Sequence, residues 1–277
     1  MVDLKRIRRG ELRILDRGPT LYVLSSFAHY GLRALILPRV HRDKAFVTNE
    51  YNNERDEYWK PTLSEDEFIY GDAQTPIWVL IDDRLVEGTL RDVRKQVLPR
   101  LRDRIAKYSK AGDLIVEFGA GTGRNLAYLA RALPDRRYLG LELTPRSVED
   151  ARRTLATYKL PVEMKVADVT KPVELDTKAA VSFSVLALEQ LPGELSRDAL
   201  KQMASVATNA VVCLEPIREL FPRSVRGLAS RLRQYRVDYL KGLPGHARSL
   251  GLKIVVEQRT GLAHNPMNEI CELVIEL

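Results

Sequence analysis

Glu117, Gly119, Gly121 and Gly123 stand in Val116-Glu117-Phe118-Gly119-Ala120-Gly121-Thr122-Gly123-Arg124-Asn125, where an acid comes two places before a glycine-rich turn. The apolar run before the turn reads as a strand and Arg124 to Leu133 as a helix, so the turn brings bare backbone against whatever binds at the strand end. A carboxylate there opposes a pyrophosphate and favours an ammonium or sulfonium. A dinucleotide fingerprint would place a small residue where Arg124 stands, and no lysine follows as a phosphate loop requires.

Two further acids follow. Glu142 ends the apolar run Arg137 to Leu143, 19 residues beyond Gly123, where its carboxylate can accept from both hydroxyls of a ribose. Asp168 ends Val162 to Ala167, where it can accept from an adenine amino group while the Val169 N–H donates to the ring. All three lie at the carboxyl ends of consecutive strands, the edge at which open α/β sheets bind ligands. Through Glu117-Phe118-Gly119-Ala120-Gly121-Thr122-Gly123, Glu142 and Asp168, in order and approximate spacing, the chain resembles the class I S-adenosylmethionine-dependent methyltransferases over residues 91–277. The resemblance implies an α/β three-layer sandwich whose mostly parallel seven-stranded sheet ends in an antiparallel strand. It implies S-adenosyl-L-methionine as cofactor, with Glu117 and the backbone of Gly119, Ala120 and Gly121 at the methionine end, Glu142 at the ribose, Asp168 and Val169 at the adenine, and Phe118, Asn125 and Leu143 also among the cofactor-binding residues. Glu117 departs from the aspartate of many members; its longer arm reaches the same ligand through water.

Methyl transfer is an in-line displacement, so the protein must align the acceptor atom and take its proton if that atom belongs to a hydroxyl or an ammonium. Acceptor-side residues should therefore follow the later strands. Glu189 and Gln190 follow Ala179 to Val185, and Glu215 follows Ala210 to Leu214 with a weaker claim. His264 and Asn265 lie in the connection Thr260 to Asn268. Glu189 and His264 are the catalytic candidates, histidine because it titrates near neutral pH. Between Arg218 and Arg248 there are eight Arg or Lys, of which Arg226, Arg233 and Arg236 approximate one helical face suited to a carboxylate or phosphate. Arg233, Arg236, Asn265, Tyr51 and Trp59 are the expected acceptor contacts. Each candidate has a plainer reading: Glu189 caps a helix, His264 is an exposed loop residue, and the arginines pair with the eight acids between Glu50 and Asp72. No cluster of His, Cys or acids has metal-ligand spacing.

The elements that must hold these residues alternate from residue 91 onward, as helices and near-continuous apolar strands of a parallel sheet buried on both faces. The last two strands, Leu252 to Gln258 and Glu269 to Leu277, have a short connection and read as an antiparallel pair. Residues 1–90 read as an N-terminal extension capping the acceptor site: they hold a cluster of aromatics between Tyr51 and Trp78 without clear periodicity. The chain has 277 residues and a net charge of +7, a surplus that comes mainly from residues 1–42 because the acidic and basic blocks cancel. Its two cysteines, Cys213 and Cys271, sit in apolar strands and point to a reducing cytoplasm. The apolar stretch Leu21 to Leu37 is too short and too interrupted to span a bilayer. The expected activity is methyl transfer to a small-molecule, glycan-like or peptide acceptor, at oxygen rather than nitrogen or carbon. Three alternatives stay open: an RNA methyltransferase using the basic N-terminus and the arginine segment, a membrane-surface protein modifying a lipid-linked acceptor, and a nucleoside-binding protein without catalysis.

Overall fold

The computed structural model describes residues 18–36, 64–71, 73–191 and 193–277. Five strands alternate with helices: β3 (Leu114–Phe118), β4 (Arg137–Glu142), β5 (Val162–Val166), β6 (Ala179–Val185) and β7 (Ala207–Glu215). With β8 (Lys253–Leu262) and β9 (Ile270–Glu276) they form one seven-stranded sheet in the order β5-β4-β3-β6-β7-β9-β8. The first five are mutually parallel, and β9 enters antiparallel to both β7 and β8. The strand order reverses direction between β3 and β6, which opens a crevice at their carboxyl ends.

Period-two alternation divides the core between the faces. Ile115, Val181, Val212 and Val274 pack on one side with α3 (Leu90–Tyr108) and α4 (Arg124–Ala132). Val116, Val211, Cys213 and Leu273 face the other, against α6 (Glu194–Val206) and α8 (Leu243–Ser249). The helix α5 (Pro145–Thr157) begins with proline at its first turn, where a missing N–H costs nothing. A capping box of Thr89 and Asp92 starts α3: the Thr89 N–H donates to Asp92 Oδ2 at 2.8 Å and the Asp92 N–H to Thr89 Oγ1 at 3.3 Å.

Within residues 1–90, expected only as an extension with an aperiodic aromatic cluster from Tyr51 to Trp78, the structure holds a hairpin, β1 (Ile77–Ile81) and β2 (Arg84–Gly88). Its two-residue turn is Asp82-Asp83, both left-handed with φ of 49° and 64°, the geometry usually supplied by Asn-Gly or Asp-Gly. Leu80 exchanges both backbone hydrogen bonds with Ala263, at 2.8 and 2.9 Å, so the hairpin is latched to the β8–β9 connection. The short helix α2 (Glu65–Tyr70) ends with carbonyls taken by arginines: Arg94 Nε donates to Ile69 O at 2.7 Å, Arg91 Nε to Gly71 O at 3.3 Å, and Arg124 to Phe68 O. This gives Arg124, in the place where a dinucleotide site wants a small residue, a structural task. Helix α1 (Pro19–Ile36) packs along α7 (Val225–Val237).

Candidate active site

The turn after β3 exists because its glycines adopt conformations that other residues resist. Gly119, Gly121 and Gly123 have φ of 73°, 55° and 78°. A Cβ on Gly119 would lie 2.5 Å from that of Ala187 in the turn after β6. The Gly119 and Ala120 N–H groups both donate to Leu141 O at 2.9 Å, which clips the turn onto β4. Glu142, at the end of β4, accepts from the Gly121 N–H at 3.0 Å through one oxygen and from the Thr144 N–H and hydroxyl at 3.2 Å through the other.

Glu117 is fully buried beneath this turn. One oxygen accepts from Asn125 Nδ2 at 2.7 Å; the other has no partner. Asn125 is oriented in turn by Arg94 Nη2, which donates to its Oδ1 at 3.0 Å. Burial pushes the Glu117 carboxyl up to about 8, against the pull of Asn125 and Arg94 and with the nearby Glu142 and Glu215 adding to the rise. Burial likewise draws Arg94 down to about 9. An unpartnered carboxylate oxygen in such a place is costly, and a cationic ligand would satisfy it. Arg94 escaped the sequence reading although a signal exists: it sits within the stripe Val93, Val97, Leu98, Leu101 and Ile105, the buried side of α3.

Asp168 follows β5 by two residues and is partly buried. It accepts from the Thr170 N–H at 3.2 Å and hydroxyl at 2.7 Å, which fixes the turn. Parallel pairing of Glu142 with Val166 puts the ends of β4 and β5 side by side. Leu143 and Val169 are partly buried on the same edge. Phe118 is fully buried on the opposite face of the sheet, among Leu139, Leu141 and Leu188.

On the acceptor side, Glu215 at the end of β7 receives three backbone N–H donors from the turn after β6: Ala187 at 3.0 Å, Leu188 at 3.1 Å and Glu189 at 3.2 Å. Burial and the neighbouring Glu189 push its carboxyl up to about 8, against those donors. Leu186 enters this turn at φ 54°, so the bend is strained and Glu215 holds it. Glu189 is then fixed through its side chain, which accepts from Asn268 Nδ2 at 2.6 Å, and through its carbonyl, which accepts from the Leu240 N–H at 2.9 Å. Asn268 lies in the β8–β9 connection, far from Glu189 in sequence, and escaped the sequence reading.

His264 follows the latched Ala263 and is partly buried. Burial, then the charges of Arg233 and Arg94, draw its imidazole down to about 4, so it is neutral at physiological pH and able to accept a proton. Asn265 shapes the loop: its Oδ1 accepts from the Met267 N–H at 3.0 Å and its carbonyl from the Asn268 N–H at 2.7 Å. Arg233 lies over the Tyr239 ring, with 5.2 Å from Cζ to the centroid. It also interacts with Tyr30 of α1 and with Glu189.

The expected arginine face divides. Arg226 is committed to Glu269 at 3.0 Å and Pro266 O at 3.2 Å, bracing the loop that carries His264, and Arg231 donates to Pro222 O at 3.1 Å. Arg233 Nη1 and Arg236 Nε and Nη1 are buried without partners. Of the acidic block, Glu65 pairs with Arg131 at 2.6 Å and Asp66 with Arg91, so these two acids serve α4 and α3 rather than the arginine segment. Tyr51 and Trp59 lie outside the described residues. Among the described residues no group of three His, Cys, Asp or Glu has the placement to hold a metal, and no helix is long and apolar enough to cross a membrane.

Residues 115–209 match the family described as a methyltransferase domain. No curated protein matches the sequence. Among solved structures, magnesium protoporphyrin IX methyltransferase from Synechocystis, crystallised with bound SAH, is similar with a TM-score of 0.59 and 16% identity, over 84% of this chain and 99% of its own. An O-methyltransferase family protein from Burkholderia thailandensis is similar with a TM-score of 0.57 and 14% identity, over 94% of this chain and 71% of its own. At these identities the likeness is one of fold.

Proposed function

We propose that this chain, which carries a methyltransferase domain on the fold of the class I S-adenosylmethionine-dependent methyltransferases, methylates a hydroxyl oxygen of a small-molecule, glycan-like or peptide acceptor. The observation that carries the reading is the unpartnered, fully buried oxygen of Glu117 beneath a turn of left-handed glycines, with Glu142 one strand away.

The residues present fit S-adenosylmethionine. Glu117, oriented by Asn125 and Arg94, would take the ammonium of the methionine end beside the backbone of Gly119, Ala120 and Gly121. Glu142 and Leu143 would take the ribose, Asp168 and Val169 the adenine. When bound, the cofactor supplies a methyl group made electrophilic by its sulfonium. What the chain itself does is orient the acceptor and remove its proton. His264 is neutral at pH 7 and is our candidate for that proton, and Glu189, held by Asn268, would orient the hydroxyl or relay the proton. Oxygen is our choice of acceptor atom because a neutral base serves a hydroxyl, whose proton must leave as the new bond forms, whereas an amine that binds already neutral can attack unaided.

The described parts of residues 1–90 act in this reading as a cover on the acceptor side of the domain formed by 91–277, with α1 against α7 and the hairpin against the β8–β9 connection. The free thiols of Cys213 and Cys271 are buried and both are held above the usual thiol range, chiefly by burial, which suits a cytoplasmic enzyme. The test is transfer of a deuterated methyl from the cofactor into a metabolite extract, read by mass spectrometry. A product formed by the wild type and absent with Glu142→Ala supports the proposal; no labelled product, or label appearing only in RNA, overturns it.

A further inference from the structure

We propose that the acceptor carries a carboxylate that pairs with Arg233, and that its body is aromatic. The inference rests on the methyltransferase reading and names the class of molecule that the same site receives.

Arg233 is the first observation. Its Nη1 is sealed from solvent and has no hydrogen-bond partner. The carboxylate it senses, Glu189, is engaged by Asn268 at 2.6 Å, and among the described residues no carboxylate forms a salt bridge with Arg233. Tyr239, Tyr30 and Glu189 support the charge of the guanidinium, but none of them supplies an acceptor to Nη1, and a planar carboxylate matches the fork that this nitrogen leaves open. Arg236, one turn further along α7, also has buried Nε and Nη1 atoms without partners, so the open donors continue along the helix.

The second observation is the field at His264, which both Arg233 and Arg94 make positive. Arg94 is spoken for by Ile69 O and Asn125, so of these two cations Arg233 is the one with a donor left to offer an incoming molecule. The third is the company Arg233 keeps. Tyr239 lies under its plane, Tyr30 interacts with it, and Tyr22 on α1 senses both Tyr30 and Arg233 while standing 6.4 Å from the Trp78 ring. Flat aromatic walls receive a flat aromatic body. Glu189 in the same field argues for a monoanion over a phosphate dianion. The acceptor class is therefore an aromatic hydroxy acid, held by its carboxylate at Arg233 with the hydroxyl toward His264.

The test uses the full-length protein saturated with S-adenosylhomocysteine, probed with 3- and 4-hydroxybenzoate, their uncharged amides and 4-hydroxyphenyl phosphate. By isothermal titration the acids should bind at least about tenfold more tightly than the amides, which is about 1.4 kcal/mol. Arg233→Gln should abolish that preference, Arg233→Lys should keep part of it, and the affinity for S-adenosylhomocysteine should be unchanged in both, which also shows that the variants are folded. Amides that bind as well as acids, a preference that survives Arg233→Gln, stronger binding of the phosphate, or no binding of any probe would each overturn the proposal. The labelled product from a metabolite extract gives a second reading: it should be retained on anion exchange at pH 7 and released at pH 2. A neutral labelled product would sink the carboxylate while leaving methyl transfer intact.

Discussion

Replacing Glu117 with glutamine should make the ligand-free protein more stable and at the same time unable to hold its cofactor. The amide keeps the shape of the side chain and can still accept from Asn125 Nδ2, now 2.7 Å from the carboxylate, but it carries no charge to bury. The magnitude follows from the rise of the Glu117 carboxyl from its ordinary 4.5 to about 8. Between those two values the folded protein holds a proton that the unfolded chain has released, so stability falls as pH rises across that window and levels off above it. At about 1.4 kcal/mol per pH unit the loss is roughly 3 kcal/mol at pH 7 and roughly 5 kcal/mol at full ionisation. Titrating groups remote from Glu117 contribute equally to both proteins and cancel in the difference, while Glu142 and Glu215, which feel its charge, are spared that repulsion in the variant and widen the gap slightly. Urea unfolding of wild type and Glu117→Gln without ligand, at pH 5 and pH 8, should show the advantage of the variant widening by roughly 3 to 4 kcal/mol. Parallel stability profiles across that range would refute the assignment of Glu117 as a buried carboxyl kept for a cation.

The same carboxyl makes cofactor binding a proton-releasing event, so S-adenosylhomocysteine should bind up to about tenfold more tightly for each pH unit between 6 and 8; equal heats at pH 7 in phosphate and Tris buffers would contradict this. Glu142→Ala leaves the Gly121 and Thr144 donors without their acceptor and removes the ribose contact; its affinity for S-adenosylhomocysteine by calorimetry should fall by about a hundredfold or more, roughly 3 kcal/mol, and unchanged binding would rule out the role. His264 titrates at about 4, so turnover that depends on its neutral form should persist down to about pH 5 and fail below, while His264→Ala should cut kcat by about a hundredfold or more with little change in cofactor affinity. An acid limb near 6.5, or full turnover in the variant, would exclude it as the base.

The parts of this molecule that the sequence announces are those in which local chemistry and global position agree. Leu114 to Phe118 had to be a buried strand because every residue but Glu117 is apolar, and the turn had to bend because three glycines share it. The antiparallel end of the sheet was legible from the short link between its last two strands, although β8 runs on to Leu262 and leaves a shorter loop than the sequence suggested. The hairpin was not legible, because Asp82-Asp83 adopts a turn usually marked by glycine. Helical periodicity put Arg226 and Arg233 on one face but could not reveal that Glu269 claims the former. Asn268 and Glu215 owe their places near Glu189 to sheet order, which residue spacing does not encode. Arg94 was visible as a charge within an apolar stripe, yet only the fold shows that Asn125 and Glu117 stand behind it.

The latch between Leu80 and Ala263 has a further consequence for how the enzyme comes into being. A ribosome delivers the hairpin before any of the seven-stranded sheet, and the loop that it must grip only after six of the seven strands. The proton acceptor of the proposed reaction would therefore reach its working position only when these two distant segments meet, so a half-made or clipped chain that already holds nucleoside would remain chemically silent.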